Sequence, residues 1–131
     1  MSDLVREISI PLTVDFVQAQ SYVSTESTGQ VSIASGPLSG FQDRHVLIVE
    51  DIVDTGTTIS HLMTLFQEEN PASLKLCSFL DKPYRRDVPV KVDYLGIVAP
   101  NKFVVGYGMD LDQEHRYLPD LWILGDAGSV A

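Results

Sequence analysis

The sequence predicts an α/β domain whose core is a mostly parallel β-sheet flanked by helices. Three short apolar runs predict strands: residues 46–49, 74–80 and 92–98. The first of them has the composition of a strand that is covered on both faces. Between the first two runs, apolar residues recur at the spacing of one helix face: Ile59, Leu62, Met63 and Phe66. This order of strand, helix and strand is typical of a parallel sheet, in which ligands bind at the carboxyl ends of the strands.

The start of the chain is predicted to be less regular. Residues 2–7 have the pattern of a helix end, and residues 8–19 are rich in β-branched and aromatic side chains, which predicts a strand broken near Pro11. Residues 20–35 are dominated by Ser, Thr and Gly. They predict a mobile loop or a weak hairpin with solvent on both sides, and a plain surface connection fits the composition equally well.

Turn residues predict where the helix and the later strands begin and end. The predicted helix ends at Asn70-Pro71, and a charged turn separates the second apolar run from the third. Residues 103–105 and 121–124 are two shorter strand candidates. Since no linker divides the chain, residues 1–131 are predicted to form one domain.

Charge and composition argue against several classes of function. Nine basic and eighteen acidic residues give a formal net charge of −9, which disfavours a general nucleic-acid surface. Phosphate ligands remain compatible, because backbone amides and Mg²⁺ can attract them. The single cysteine, Cys77, forms no internal disulfide, no apolar run approaches the ~20 residues of a membrane span, and the start does not read as a signal peptide. We therefore expect a cytoplasmic protein with no membrane or nucleic-acid partner.

The segment VLIVEDIVDTGTT, residues 46–58, predicts a phosphate site. Its Thr-Gly-Thr-Thr turn opens the predicted helix, whose first N–H groups and positive dipole end favour an anion. Read alone, the turn is an ordinary N-cap. Glu50 and Asp51 are expected at the strand end with side chains on opposite faces, and Asp54 follows. These carboxylates would repel a phosphate unless hydroxyl groups or a cation intervened, and a sugar phosphate with Mg²⁺ supplies both.

This segment resembles the signature with which phosphoribosyltransferases bind 5-phosphoribosyl-1-pyrophosphate (PRPP). Further segments narrow the resemblance to the hypoxanthine-guanine phosphoribosyltransferases: TVDFVQAQSY at 13–22, LDKP at 80–83 and NKFVVGYGMDLDQEHRYLP at 101–119. The resemblance implies a type I phosphoribosyltransferase-like fold that transfers the phosphoribosyl group from PRPP to hypoxanthine or guanine, giving IMP or GMP and pyrophosphate. It also implies Mg²⁺ as cofactor and a homo-oligomer, either dimer or tetramer.

The resemblance implies a role for each acid. Glu50 and Asp51 would hold the ribose hydroxyls, directly or through Mg²⁺, and Asp110 would bind a second Mg²⁺. Asp54 would be the general base near N7 of the purine. The 5′-phosphate would lie against the turn residues, which are Thr55, Gly56, Thr57 and Thr58.

The purine and the leaving group are assigned in the same way. Lys82 would donate to the oxygen at purine C6, Phe103 would stack on the base, and the backbone of Val104 would read its edge. Arg116 would meet pyrophosphate. The mobile loop that closes over the reacting centre would include two residues, Ser21 and Tyr22.

Residue types alone leave a plainer interpretation open, in which Lys82 is a solvated turn lysine and Phe103 belongs to the core. Asp110 and Arg116 would then be charged loop residues. The carboxylate at Asp54 favours a 6-oxopurine enzyme, because adenine-specific relatives generally lack an acid at this position.

One departure from the family pattern concerns the start. The family has more chain before the point that matches Ser2, including a first core strand that ends in a Leu-Lys-Gly loop, and no Leu-Lys-Gly occurs here. Loss of this strand would expose a sheet edge. Three explanations fit: the sequence lacks its start, the chain is a truncation, or a partner chain covers the gap.

A catalytically weak PRPP- or nucleotide-binding protein of the same fold is the alternative function. A response-regulator-like phospho-acceptor domain would also fit the α/β pattern. The sequence lacks the isolated aspartate and the downstream lysine that such a domain is expected to have.

Overall fold

The computed structural model describes residues 1–21, 31–37 and 39–125. Helix α1 (Ser2–Glu7) opens the chain, and strands β1 (Gln18–Ser21) and β2 (Val31–Ser35) pair in antiparallel fashion. This pairing confirms the predicted hairpin at its two strands, but solvent on both sides is wrong, because Ala19 and Ile33 pack against the core. Residues 22–30 lie outside the described part.

The predicted strand at residues 8–19 is wrong except at its end. Residues 8–17 have no strand neighbour, and most of their apolar side chains are exposed, with Ile10 at 70% and Phe16 at 73%, whereas Val17 packs against the core. Composition gives them β propensity, but a strand also needs a partner, and Pro11 has no N–H to donate to one.

The central sheet has three parallel strands in the order β3–β4–β5. Their bounds are His45–Val53 for β3, Ser73–Asp81 for β4 and Tyr94–Val98 for β5. Helix α2 (Thr57–Glu68) connects β3 to β4 and buries Ile59, Leu62 and Phe66, the predicted apolar face. It ends before Asn70, whose φ of 52° is left-handed, and Pro71. The parallel sheet predicted from the apolar runs is confirmed. The expected cover on both faces of β3 is wrong, because Leu47 is 41% exposed.

The two short strand candidates form a separate unit. Strands β6 (Val104–Val105) and β7 (Trp122–Ile123) pair with each other in antiparallel fashion instead of extending the central sheet. Gly106 directly follows β6, and a Cβ there would lie 2.1 Å from the carbonyl oxygen of Asp120. Close approach of the two chain segments therefore requires glycine at this position.

Two buried clusters hold these units together. Val53, Ile59, Leu62 and Leu76 join α2 to the first two strands of the sheet. The second cluster joins the far ends of the sheet strands to β6 and the loop after it, through Leu80, Ala99, Val104 and Met109. The carboxyl ends of β3 and β4 consequently lie next to the β6–β7 unit. None of the described helices is long and apolar enough to cross a membrane.

Candidate active site

Strand β3 runs further than its apolar residues suggest. It stays in register with β4 through Val53, which pairs with Asp81, so the strand continues two residues beyond the end that was predicted at Glu50 and Asp51. Glu50 and Asp51 lie within the paired strand, because a carboxylate on a strand does not interrupt main-chain pairing. Asp54 is the first residue after the strand.

The turn after Asp54 is fixed by a segment far along the chain. The carbonyl oxygen of Thr55 accepts hydrogen bonds from the N–H groups of Asp87 and Val88, at 2.9 and 3.1 Å. Gly56 has a φ of +87°, and a Cβ on it would lie 2.6 Å from the carbonyl oxygen of Val88. Only glycine fits both the left-handed conformation and this close contact.

Helix α2 begins directly after Gly56, which caps it without a side-chain hydrogen bond. The hydroxyl of Thr55 accepts a long hydrogen bond, 3.4 Å, from the N–H of Thr57. Three residues at this end of the helix carry hydroxyl groups, namely Thr55, Thr57 and Thr58, and the hydroxyls of Thr55 and Thr57 lie 3.3 Å apart. Free N–H groups, a positive dipole end and hydroxyl donors together can bind a phosphate dianion.

Glu50 and Asp51 have the different surroundings expected of neighbours on a strand. Glu50 is half-buried, whereas Asp51 is exposed and accepts a hydrogen bond from the N–H of Ile52 at 2.7 Å. Burial, and to a smaller extent the charge of Asp51, raises the pKa of Glu50 to about 7.

This pair of acids fits a cation, because a positive charge would relieve their repulsion. Within the described residues, no cluster of three or more potential ligand side chains exists to enclose a metal ion. Mg²⁺ commonly takes one or two carboxylates and completes its shell with water and substrate oxygens. Because neighbouring strand residues point to opposite faces, one of these two carboxylates could meet an Mg²⁺ ion that arrives with a phosphorylated ligand.

Two arginines that the sequence analysis missed contact Asp54. Its buried Oδ1 lies 2.7 Å from Nε of Arg85, although it accepts no hydrogen bond from the described residues. Its carbonyl oxygen accepts a hydrogen bond from Nη1 of Arg86 at 2.6 Å, and Nη2 of the same arginine pairs with the carboxylate of Asp81. The signal in the sequence was Arg85-Arg86 close behind the LDKP segment, although only the fold shows which residues they reach.

Lys82 is buried at 5% exposure, so the interpretation as a solvated turn lysine is wrong. Its N–H donates to the carbonyl oxygen of Val53 at 2.9 Å, which fixes Lys82 beside the end of β3. Burial lowers the pKa of Lys82; the charge of Asp54 acts in the opposite direction and that of Arg85 in the same direction. The ammonium group lies 5.8 Å from the ring centroid of Phe103.

Phe103 is 50% exposed, so it is not a core residue. A half-exposed ring beside a buried lysine offers one face to a planar ligand. Val104 pairs with Ile123, and the N–H of Leu124 donates to the carbonyl oxygen of Phe103 at 2.9 Å. This bond makes Val104 and Ile123 a non-hydrogen-bonded pair, so the N–H and C=O of Val104 point away from β7. The main chain of Val104 can therefore contact a ligand edge.

Asp110 and Arg116, predicted to have separate roles, bind each other. Oδ1 of Asp110 lies 2.8 Å from Nη2 of Arg116, and its Oδ2 accepts the N–H of Gln113 at 2.8 Å. Nη1 of Arg116 donates to the carbonyl oxygen of Gly108 at 2.7 Å. In the described part of the chain, these contacts stay within the loop after β6 and do not reach the turn at Asp54.

Of the two residues predicted in the mobile loop, the structure describes only one. Ser21 is the last residue of β1, opposite Val31, whereas Tyr22 lies outside the described residues.

A groove of about 490 Å³ on the side of α2 is lined by other residues: Ser60, Met63, Thr64, Gln67, Glu68 and Leu74. It contains none of the predicted site residues.

Comparison with known proteins identifies the family. Residues 1–112 match the family model described as the phosphoribosyl transferase domain. The hypoxanthine phosphoribosyltransferase of Salmonella typhimurium is 45% identical over 91% of this chain and 67% of its own length. This chain belongs to the hypoxanthine-guanine phosphoribosyltransferase family.

Solved structures of hypoxanthine-guanine phosphoribosyltransferases share the fold. The hypoxanthine phosphoribosyltransferase of Trypanosoma cruzi in complex with the product IMP has a TM-score of 0.89 at 38% identity, over 98% of this chain and 70% of that one. A hypoxanthine-guanine phosphoribosyltransferase of Bacillus anthracis has a TM-score of 0.86 at 38% identity, over 95% of this chain and 74% of that one. The type I phosphoribosyltransferase-like fold expected from the resemblance is confirmed.

The chain spans only part of its relatives. It matches 67% of the length of the Salmonella phosphoribosyltransferase. The bifunctional protein TilS/HprT of Listeria innocua is 43% identical over 95% of this chain, which spans 19% of that protein.

Proposed function

We propose that the protein is a purine-salvage enzyme that transfers the 5-phosphoribosyl group from PRPP to hypoxanthine or guanine. The products are IMP or GMP and pyrophosphate. The observation that carries this proposal is the position of Asp54, which lies between the start of α2, where an anion could bind, and the buried Lys82. A phosphate group and a purine base bound at these two places would meet at Asp54.

Each group of the chain has a chemical task in this proposal. The turn at Thr55–Thr58 binds the 5′-phosphate, and Glu50 and Asp51 hold the ribose hydroxyls. Lys82 has three donors and no acceptor, so it favours an oxygen over an amino group at purine C6. Phe103 stacks on the base while the peptide of Val104 reads its edge. Asp54 removes the proton from N7 as the base attacks C1 of the ribose.

The leaving pyrophosphate needs positive charge. Arg116 would donate to it, exchanging its bond to Asp110 for bonds to phosphate oxygens. Glu50, Asp51 and Asp110 would hold Mg²⁺, which supplies Lewis-acid stabilisation of the pyrophosphate when it is bound. Closure of the segment with Ser21 and Tyr22 would exclude water, although Tyr22 lies outside the described residues.

We further propose a cytoplasmic homo-oligomer, either dimer or tetramer. Among the described residues, strand β5 is an edge of the sheet, and it exposes four large apolar side chains, namely Tyr94, Leu95, Ile97 and Val98. A second copy is the occupant that we propose for this surface.

An assay with PRPP, Mg²⁺ and each of hypoxanthine, guanine, xanthine and adenine tests the activity. We expect conversion of hypoxanthine or guanine but not of adenine, and a loss of about 10²–10⁴-fold in kcat in Asp54→Asn with little change in PRPP binding. Asp43→Asn, at an exposed position whose φ of 58° suits asparagine, is the matched control. PRPP binding without any conversion would instead support the alternative, a catalytically weak binding protein.

A further inference from the structure

The chain after Lys82 passes directly against the turn that contains Asp54. Main-chain N–H groups of Asp87 and Val88 hold the carbonyl oxygen of Thr55, and Gly56 approaches the carbonyl oxygen of Val88. The two halves of the proposed site, one for the ribose phosphate and one for the purine, are therefore in contact through residues 83–88.

Arg86 adds the side-chain part of this contact. Its side chain is 14% exposed, and that of Asp81 is 12% exposed, so their ion pair is largely shielded from water. One end of the guanidinium, Nη1, donates to the carbonyl oxygen of Asp54 at 2.6 Å, while Nη2 binds Asp81. A planar group with several fixed donors can bridge two acceptors at a set separation, which a lysine cannot do.

The two acceptors belong to the two halves of the site. Asp54 is the proposed base at the end of β3, and Asp81 is the residue before Lys82 at the end of β4. The carbonyl oxygen of Asp81 also accepts the N–H of Ala99 at 2.8 Å, so its backbone position is fixed independently of Arg86. Arg86 consequently connects Asp81, whose backbone is fixed by Ala99, to the backbone of Asp54.

We propose that Arg86, through its pair with Asp81, is a positioning residue that sets the distance between Asp54 and Lys82. This inference rests on the proposed transferase function. A shielded ion pair contributes little to stability relative to apolar residues of similar volume, so stability alone does not account for it. Displacement of a catalytic group by ~1 Å costs up to about 10²-fold in rate, so a fixed separation has a direct effect on turnover.

The central test is the double variant Asp81→Leu/Arg86→Met, which removes both charges together and leaves neither one buried and unpaired. We expect its kcat with hypoxanthine to fall about 10- to 100-fold, while the KM for PRPP stays within about 3-fold of wild type. PRPP binding should persist because the N–H groups of Asp87 and Val88 still hold Thr55. Arg86→Lys keeps the positive charge but not the fork, so we expect an intermediate loss of kcat.

Ligand binding gives a second readout that does not depend on turnover. IMP occupies both halves of the proposed site, whereas ribose 5-phosphate occupies only the turn. In the double variant we expect the Kd for IMP to rise by at least about 10-fold and that for ribose 5-phosphate to change by less than about 3-fold. Tyr84→Ala, in the same segment but at a side chain that is 78% exposed, is the control and should match wild type in both measurements.

Several outcomes would overturn the inference. One is a double variant that folds and keeps wild-type kcat; another is an equal loss of affinity for IMP and ribose 5-phosphate, which would indicate general damage to the fold. The same measurements separate the two proposals. Wild-type protein that converts no purine contradicts the proposed function, whereas active wild-type protein with an equally active double variant contradicts only the role of Arg86.

Discussion

Glu50 is the residue whose protonation most strongly connects stability to the proposed site. Its pKa is raised from 4.5 to about 7, chiefly by burial. Between these values the folded protein binds more protons than the unfolded chain, so the free energy of unfolding falls as the pH rises through this window. An acid retained at such a cost is consistent with a role in ligand or cation binding.

The variant Glu50→Gln tests this assignment. Because glutamine stays neutral, we expect the variant to be more stable than wild type at about pH 8, by up to roughly 3 kcal/mol, at ~1.4 kcal/mol per pKa unit. The difference should vanish below pH 4.5, where Glu50 is protonated in both states. Urea denaturation at the two pH values without Mg²⁺ measures it. An equal stability difference at both would contradict the raised pKa.

Lys82 is the second residue with a clear single-site prediction. In Lys82→Met the hydrogen bond to the C6 oxygen would be lost, so we expect KM for hypoxanthine to rise about 10- to 100-fold, the equivalent of roughly 1.5–3 kcal/mol. Thermal stability should not fall, because a desolvated cation is replaced by an apolar side chain. Lys102→Met, at an exposed lysine nearby, is the control. An unchanged KM in Lys82→Met would place the purine elsewhere.

At the scale of elements, the turn between β3 and α2 is the part whose shape depends most on one residue. Gly56 combines a φ of +87° with a main-chain oxygen 2.6 Å from the position of a Cβ. The helix start, the backbone of Asp54 and the segment at residues 86–88 meet at this point. Any side chain at residue 56 would separate them.

Alanine substitution at two glycines separates the effect of a steric clash from the effect of a left-handed backbone conformation. Gly56→Ala adds both a left-handed strain and a steric clash, whereas Gly40→Ala, at a φ of +91° with nothing within 4 Å, adds only the strain. We expect Gly40→Ala to lower the free energy of unfolding by about 1 kcal/mol and Gly56→Ala by roughly 2–4 kcal/mol. Only Gly56→Ala should weaken PRPP binding. Chemical denaturation and calorimetric titration measure both effects, and equal results at the two positions would contradict the tight packing of the turn.

Elements with strong local signals were predictable from the sequence. The apolar face of α2 and the runs in β3 and β4 mark these elements by periodicity and composition. The contacts of Arg85 and Arg86 were not predictable, because Arg86 and the carbonyl of Asp54 are 32 residues apart. The ion pair between Asp110 and Arg116 was missed for a different reason. The sequence analysis assigned Asp110 to Mg²⁺ and Arg116 to pyrophosphate, and this left no reason to expect the two side chains to bind each other.

At the scale of the whole molecule, the central sheet ends in two open edges within the described residues. The sheet contains only β3, β4 and β5, and every residue of β5 is exposed. An edge with large apolar side chains favours association with another chain. The proposed assembly of copies of this chain would cover part of this surface.

Introduction of a charge on β5 tests that assembly. In Ile97→Lys, at a side chain that is 50% exposed, we expect the apparent mass in sedimentation at micromolar concentration to shift toward the monomer. Leu12→Lys, at a side chain that is 41% exposed in the irregular segment before β1, is the control and should keep the wild-type mass. Identical sedimentation of Ile97→Lys and wild type would exclude β5 from the assembly.

The outward-facing peptide of Val104 limits how base preference can change. Its hydrogen-bonding groups belong to the main chain, so every amino acid except proline presents the same donor and acceptor to the purine. If Val104 reads the purine as proposed, substitutions that keep its side chain packed in the cluster with Leu80, Ala99 and Met109 would leave that readout intact. In the proposed site, a new base preference would then have to arise at Lys82 or Phe103, or through a shift of the whole β6–β7 ribbon.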